Sequence, residues 1–207
     1  MSKSKPVFYY FNSKALGEQS RLLMVYGGID FEDYRVDFYT EWPDFKKNTK
    51  FGYMPMLEID GKRYAQSMAI SRYLARRVGL AGDTLEEALE IDQNIDLFNE
   101  FRLKAADIFY ETDEAVKERK YAEALRNVFP DYLERLSNII NENNGYLALG
   151  KLTWADFVLT GTMLYLKMIT RIPDLEKQFP AFQRVIDNVH SIPQIKAYVE
   201  KAPVTKF

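Results

Sequence analysis

The chain has 207 residues, enough for one large domain or two small ones with a real core. It is 47% hydrophobic and carries 28 basic against 30 acidic side chains, a net charge of -2, so no basic excess argues for nucleic acid or an anionic membrane as partner. Cysteine is absent, which excludes disulfides, thiolate metal sites and a protein thiol nucleophile; any sulfur chemistry must use a sulfur that a ligand brings.

The stretch through Lys14 lacks a long apolar core and a small-residue cleavage site, so it does not read as a signal peptide. No apolar run approaches the ~20 residues of a membrane span, and a cytoplasmic protein is expected. Val7 to Phe11 is β-branched and aromatic, the pattern of a buried strand. Ala15 to Tyr26 places Leu16, Leu22, Leu23 and Tyr26 on a helical stripe, stopped by Gly27-Gly28. Phe31 to Phe38 reads as a second strand. Pro55 to Ala65 reads as a hairpin, because Asp60-Gly61 between two apolar runs is a strong two-residue turn signal. Ser67 looks like the N-cap of a helix from Met68 to about Val78. This order, βαβ then ββα, is the thioredoxin-like one.

Beyond Gly82 almost nothing reads as strand. Helices are expected from Leu85 to about Arg119, from Tyr121 to about Asn141 and from Trp154 to about Thr170, with shorter ones near the end. Asn143-Asn144-Gly145 and Gly150 punctuate them, and Thr153 with Asp156 forms a capping pattern. The expected fold class is therefore α/β plus all-α. A thioredoxin-like domain spans 1–81 and an all-helical domain 82–207.

Tyr10-Phe11-Asn12, Lys14 to Arg21, Glu41-Trp42-Pro43, Phe51 to Pro55, Leu57 to Gly61, Gln66-Ser67, Ala69 to Leu74 and Leu152 to Asp156 follow one another along the chain. In this order and spacing they resemble the sigma class of the glutathione transferase superfamily, and insect and other invertebrate members most. Each is modest alone, and the series is specific. The resemblance implies a cytoplasmic homodimer that activates the thiol of glutathione for attack on hydrophobic electrophiles such as lipid-peroxidation products. Prostaglandin isomerisation and peroxide reduction are further outlets. A non-enzymatic carrier of hydrophobic ligands, or a crystallin-like structural protein, is the alternative.

It also implies roles for single residues. Tyr10 is the expected catalyst. A free thiol of pKa ~8.5 is only about 3% thiolate at pH 7. Lowering that pKa by about two units takes roughly 2.7 kcal/mol. One hydrogen bond from a neutral phenol to the anion supplies ~1.5–3 kcal/mol, most of what is needed. Gln66 and Ser67 are expected to hold the γ-glutamyl carboxylate at a helix N-terminus. Tyr53, Met54 and Pro55 line the tripeptide, with a cis-proline and the Met54 backbone pairing like an added strand. Trp42 and Lys46 take the glycine carboxylate. Glu100 is expected to reach the partner chain's glutathione. Phe11, Leu16, Asn99 and Arg102 are assigned to the electrophile pocket, and Asn99, Glu100 and Arg102 to one polar network near the sulfur.

Leu16 stands where some vertebrate relatives carry an arginine, so its side chain cannot polarise the thiolate. Asn99-Glu100 replaces their metal-binding Asp-Asp pair, so no metal is expected. His190 reads as a surface residue. Glu18 with Arg21 reads as a structural ion pair, and Asp156 with Thr153 as the cap of a buried helix.

Overall fold

The structure is a computed structural model, and it describes residues 4–203 and residue 205. The extreme ends of the two expected domains, 1–3 and 204, 206 and 207, lie outside the described residues. Strand β1 (Val7–Phe11) leads into α1 (Ala15–Tyr26) and β2 (Glu32–Val36). After α2 (Trp42–Phe45) and a 3₁₀ turn at Lys46–Asn48 come the hairpin strands β3 (Met56–Ile59) and β4 (Lys62–Ala65), then α3 (Ser67–Val78). The sheet order is β2-β1-β3-β4, with β1 and β2 parallel and the other neighbours antiparallel. This is the thioredoxin-like arrangement. Asp60 and Gly61 both have positive φ, 50° and 76°, as a tight primed hairpin turn requires.

The helical part follows: α4 (Leu85–Phe109), α5 (Glu114–Glu123), α6 (Phe129–Glu142), α7 (Trp154–Thr170), α8 (Leu175–Gln178), α9 (Pro180–His190) and α10 (Pro193–Lys201). Two helix expectations need correction. The helix expected to run to Arg119 breaks at Tyr110, because Asp113 accepts the Val116 N–H, 3.0 Å, and starts a new helix. The helix expected over 121–141 is also divided. A π segment, Ala124–Val128, lies between α5 and α6, and Pro130 in the first turn of α6 has no N–H to give to a continuous ladder.

Helix α7 is buried along nearly its whole length and packs against α1, α4 and α9. Its start carries the expected capping box. The Asp156 carboxylate accepts from the Thr153 N–H, 2.8 Å, and the Leu147 N–H, 2.8 Å. Burial pushes this carboxyl up to about 6, outweighing the Leu147 and Thr153 hydrogen bonds that favour the anion. Because the folded value lies above the unfolded one, its contribution to stability is fullest below about pH 4 and declines as pH rises through about 6. Gly161 lets α7 approach α1 closely. A Cβ there would stand 2.5 Å from the Gln19 amide nitrogen, which belongs to backbone and cannot swing aside.

Candidate active site

The strand register gathers the expected glutathione residues at one end of the sheet. Tyr9 pairs with Met56 and Met56 with Ala65; Phe11 pairs with Val36. The end of β1 with Tyr10, the entry to β3 with Met54 and Pro55, the exit of β4 at Gln66 and the exit of β2 toward Trp42 therefore share that end. The Met54-Pro55 peptide is cis.

Tyr10 is 6% exposed. Its phenol is pushed up to about 12 by burial, against the opposing pull of the Leu16 amide, the Arg21 charge and the Ser13 hydroxyl, so it stays neutral at pH 7 and can donate. The Leu16 N–H donates to Tyr10 Oη, 3.2 Å. That contact occupies an oxygen lone pair and leaves the phenol hydrogen free to point elsewhere. Although its side chain carries no charge, Leu16 thus supports Tyr10 through its backbone. A Cβ on Gly17 would lie 2.4 Å from the Tyr10 ring, so glycine is what allows α1 to pass behind the phenol.

Arg21 secures the loop between β1 and α1. It is fully buried, and its Nη1 donates to the Ser13 carbonyl, 2.8 Å. The expected ion pair with Glu18 is present at 3.2 Å, and Asp33 adds a second at 2.9 Å. Burial pulls the guanidinium down, yet Asp33 and Glu18 hold it above its ordinary value. Its charge also sits 5.7 Å from the centre of the Tyr10 ring.

The Ser67 expectation is corrected by one residue. Gln66 occupies the cap position with φ 80°, and its side chain makes no capping bond; Ser67 is already the first residue of α3. The left-handed backbone of Gln66 turns the chain before Ser67, which leaves the first N–H groups of α3 without helical partners. Such a conformation costs ~1–3 kcal/mol and gathers at binding sites. Trp42 is half-buried at the start of α2, with the Phe11 ring edge-on at 5.1 Å; Phe38 packs on Phe11 at 5.4 Å. Lys46 is exposed. Its neighbour Lys47 pairs with Asp44 at 2.7 Å, whereas Lys46 has no carboxylate within ion-pair distance among the described residues. Tyr53 is 69% exposed.

The expected three-residue polar network is not formed. Asn99 Oδ1 accepts from Arg102 Nε and Nη2, 3.0 and 2.7 Å, but Glu100 turns away to accept the Tyr132 hydroxyl, 2.6 Å, with Lys104 at 3.6 Å. Positions 99 and 102 are one turn apart on a helix and share a face, while 100 lies about 100° around it. Burial pulls the Arg102 guanidinium below its ordinary value, against the opposing pull of the Tyr165, Tyr10 and Tyr110 phenols. Sequence pattern singles out neither Tyr110 nor Tyr165. A lone phenol within the apolar run of α7 is the available signal for Tyr165. His190 is half-buried rather than a surface residue. Burial and then Lys14 pull it below its ordinary value, so it is neutral at pH 7.

Among the described residues no cluster of histidine and carboxylate side chains could hold a metal, and no helix is long and apolar enough to cross a membrane.

Two family models match the chain: Glutathione S-transferase, N-terminal domain, over residues 6–76, and Glutathione S-transferase, C-terminal domain, over residues 99–202. The chain is 54% identical over 203 residues to Glutathione S-transferase 2 of Manduca sexta, covering 98% of this chain and 99% of that one. It is 35% identical over 199 residues to Hematopoietic prostaglandin D synthase of Gallus gallus, covering 95% and 96%. Among solved structures, prostaglandin synthase D of Nilaparvata lugens superposes with a TM-score of 0.91 at 38% identity, covering 98% of this chain and all of that one.

Proposed function

The chain belongs to the glutathione S-transferase family, and from that premise we propose that Tyr10 holds the glutathione sulfur as a thiolate at the end of the sheet. The protein is a glutathione transferase, with prostaglandin isomerisation as a further outlet in keeping with its prostaglandin D synthase relatives. One observation carries the role of Tyr10: its oxygen accepts the Leu16 N–H while the phenol itself stays protonated, so its hydrogen is free for a sulfur anion. The thiol proton leaves to solvent. The sulfur lone pair then attacks an electrophilic carbon, or a peroxide oxygen where peroxide is the substrate. If an endoperoxide is rearranged instead, glutathione is returned unchanged.

In the same proposal the free N–H groups at the start of α3, with Gln66 and Ser67, take the γ-glutamyl carboxylate. Trp42 and the unpaired Lys46 take the glycine carboxylate, and Tyr53, Met54 and Pro55 line the backbone between. Phe11, Leu16, Asn99 and Arg102 border the electrophile. We place the domain boundary at 81/82, in the connection between α3 and α4. We place the protein in the cytoplasm, where the glutathione pool is kept reduced. The test is the rate at which glutathione conjugates with a chloronitrobenzene, together with glutathione binding by calorimetry. Catalysis well above buffer supports the reading; absence of glutathione binding sinks it.

A second copy of this chain is the proposed partner. Phe51, Tyr64 and Tyr73 are large, 40–49% exposed, and gathered around a hollow of about 420 Å³. Exposed apolar surface concentrated in this way marks an association face. Glu100, with its side chain 56% exposed, is then the group that reaches the partner's glutathione. Sedimentation of the wild type should give twice the 24.2 kDa chain mass, and Phe51→Glu should give the single mass with weaker glutathione binding. A wild type that sediments as one chain at micromolar concentration rules the dimer out.

A further inference from the structure

Helix α2 starts at Trp42 and hands over to Lys46, yet little of the fold holds it in place. Four residues make a helix too short to persist on its own hydrogen bonds, and none of the four is buried. Its ring contacts with the sheet are Trp42 on Phe11, 5.1 Å, and Phe45 on Tyr9 and Tyr34, 5.5 and 6.3 Å. The register puts Tyr9, Tyr34, Glu58 and Arg63 on one face of the sheet. Tyr9 pairs with Tyr34 and with Met56, and Glu58, two residues after Met56, pairs with Arg63. Arg63, on β4, closes this cluster. Its guanidinium lies 5.0 Å from the centre of the Tyr9 ring and 5.8 Å from that of Phe45. Glu58 fixes both neighbours, accepting from Arg63 Nε at 2.7 Å and from the Tyr9 hydroxyl at 3.2 Å. The stack therefore joins β4 to the last residue of α2, which adjoins Lys46 and lies one turn from Trp42.

We propose that Arg63 is a positioning residue that clamps α2 against the sheet and thereby sets the affinity for the glycine end of glutathione. The inference rests on the assignment of Trp42 and Lys46 to the glycine carboxylate. Arg63 acts through Phe45. When α2 leaves the sheet, the Trp42 indole N–H and the Lys46 ammonium leave the place where that carboxylate arrives. The observed affinity then falls in proportion to the docked fraction. Tyr10 follows Tyr9 along β1 and faces the other side of the sheet, so the activation of sulfur does not depend on the clamp. A planar guanidinium stacks on rings as an ammonium does not, so lysine replaces this arginine only in part.

The experiment compares glutathione with γ-glutamylcysteine, which carries the same thiol and γ-glutamyl group but lacks glycine and the carboxylate that α2 receives. Steady-state conjugation of a chloronitrobenzene is measured with each thiol for the wild type, Arg63→Ala, Arg63→Lys and Lys46→Ala. Arg63→Ala should raise KM for glutathione about fivefold, with kcat within about twofold of wild type, and raise KM for γ-glutamylcysteine by less than about twofold. Arg63→Lys should fall between. KM does not depend on how much of a preparation is folded, so the split survives a loss of stability. The chain has two tryptophans, and Trp154 is 1% exposed, so acrylamide quenching of fluorescence reports Trp42. Quenching should increase in Arg63→Ala. Equal rises in KM for the two thiols, or quenching equal to wild type, overturn the inference. Lys46→Ala tests the premise separately and should show the same preference for the dipeptide. If Lys46→Ala raises both KM values alike, the assignment of the glycine end fails and this inference with it. A wild type that binds no glutathione removes the transferase reading itself.

Discussion

Tyr10→Phe is expected to slow conjugation ~10- to 1,000-fold, equivalent to losing ~1.4–4 kcal/mol of transition-state stabilisation, while glutathione affinity changes little. The ring keeps its packing against Gly17 and Phe11, because phenylalanine removes only the oxygen. What is lost is the acceptor for the Leu16 N–H and the donor to sulfur. A pH profile isolates the second loss. With the thiol lowered by about two units, roughly three quarters is thiolate at pH 7; without the donor about 3% is. The mutant rate should consequently keep rising to about pH 8.5, where the wild type has levelled off about two units lower. A mutant with unchanged rate and profile would falsify the assignment of Tyr10. A profile that does not move while the rate falls would mean that the phenol acts on the electrophile and not on the thiol.

Arg21→Ala is expected to destabilise the fold by ~3–5 kcal/mol, the usual cost of removing one partner from a buried ion pair. Glu18 is 5% exposed, and with Asp33 it would be left facing a space without positive charge. The Ser13 carbonyl would also lose its donor. Arg21→Lys keeps the charge, but a single ammonium cannot serve Ser13, Glu18 and Asp33 with fork geometry, so only part of the loss returns. Urea unfolding of the three proteins measures this directly. Equal midpoints for wild type and Arg21→Ala would show that the cluster does not support the fold. Because Ser13, Ala15 and Leu16 lie in the segment that Arg21 anchors, the folded fraction of Arg21→Ala should also show a raised thiol pKa.

The readable parts of this chain are those whose causes are local. The β1 strand, α1, the Asp60-Gly61 turn and the capping box of α7 depend on residues within a few positions of one another. Hydrophobic period, turn chemistry and cap chemistry operate over that range, so the sequence alone makes these elements legible. The helix break at Asp113 has its local signal too, a cap residue after Tyr110, but no glycine or proline marks it. The order of motifs from Tyr10 to Asp156 is sufficient to point to the family, since each motif keeps its spacing along the chain.

Tertiary structure decided what depends on residues far apart in sequence or on the sense in which a side chain faces. The Leu16 amide reaches Tyr10 only because Gly17 lets α1 pass behind the ring and Arg21 ties the loop to Asp33. Glu100 left the expected network because a helix rotates adjacent residues by about 100°, which aims it at Tyr132 on α6. Arg102 met Tyr165 because α4 packs against α7, across more than sixty residues of chain that no periodicity connects. Sequence pattern specifies which face of each element is apolar. Which polar groups then meet between elements follows from the packing of those faces, and with it the pKa of Tyr10 and the charge balance at Arg102.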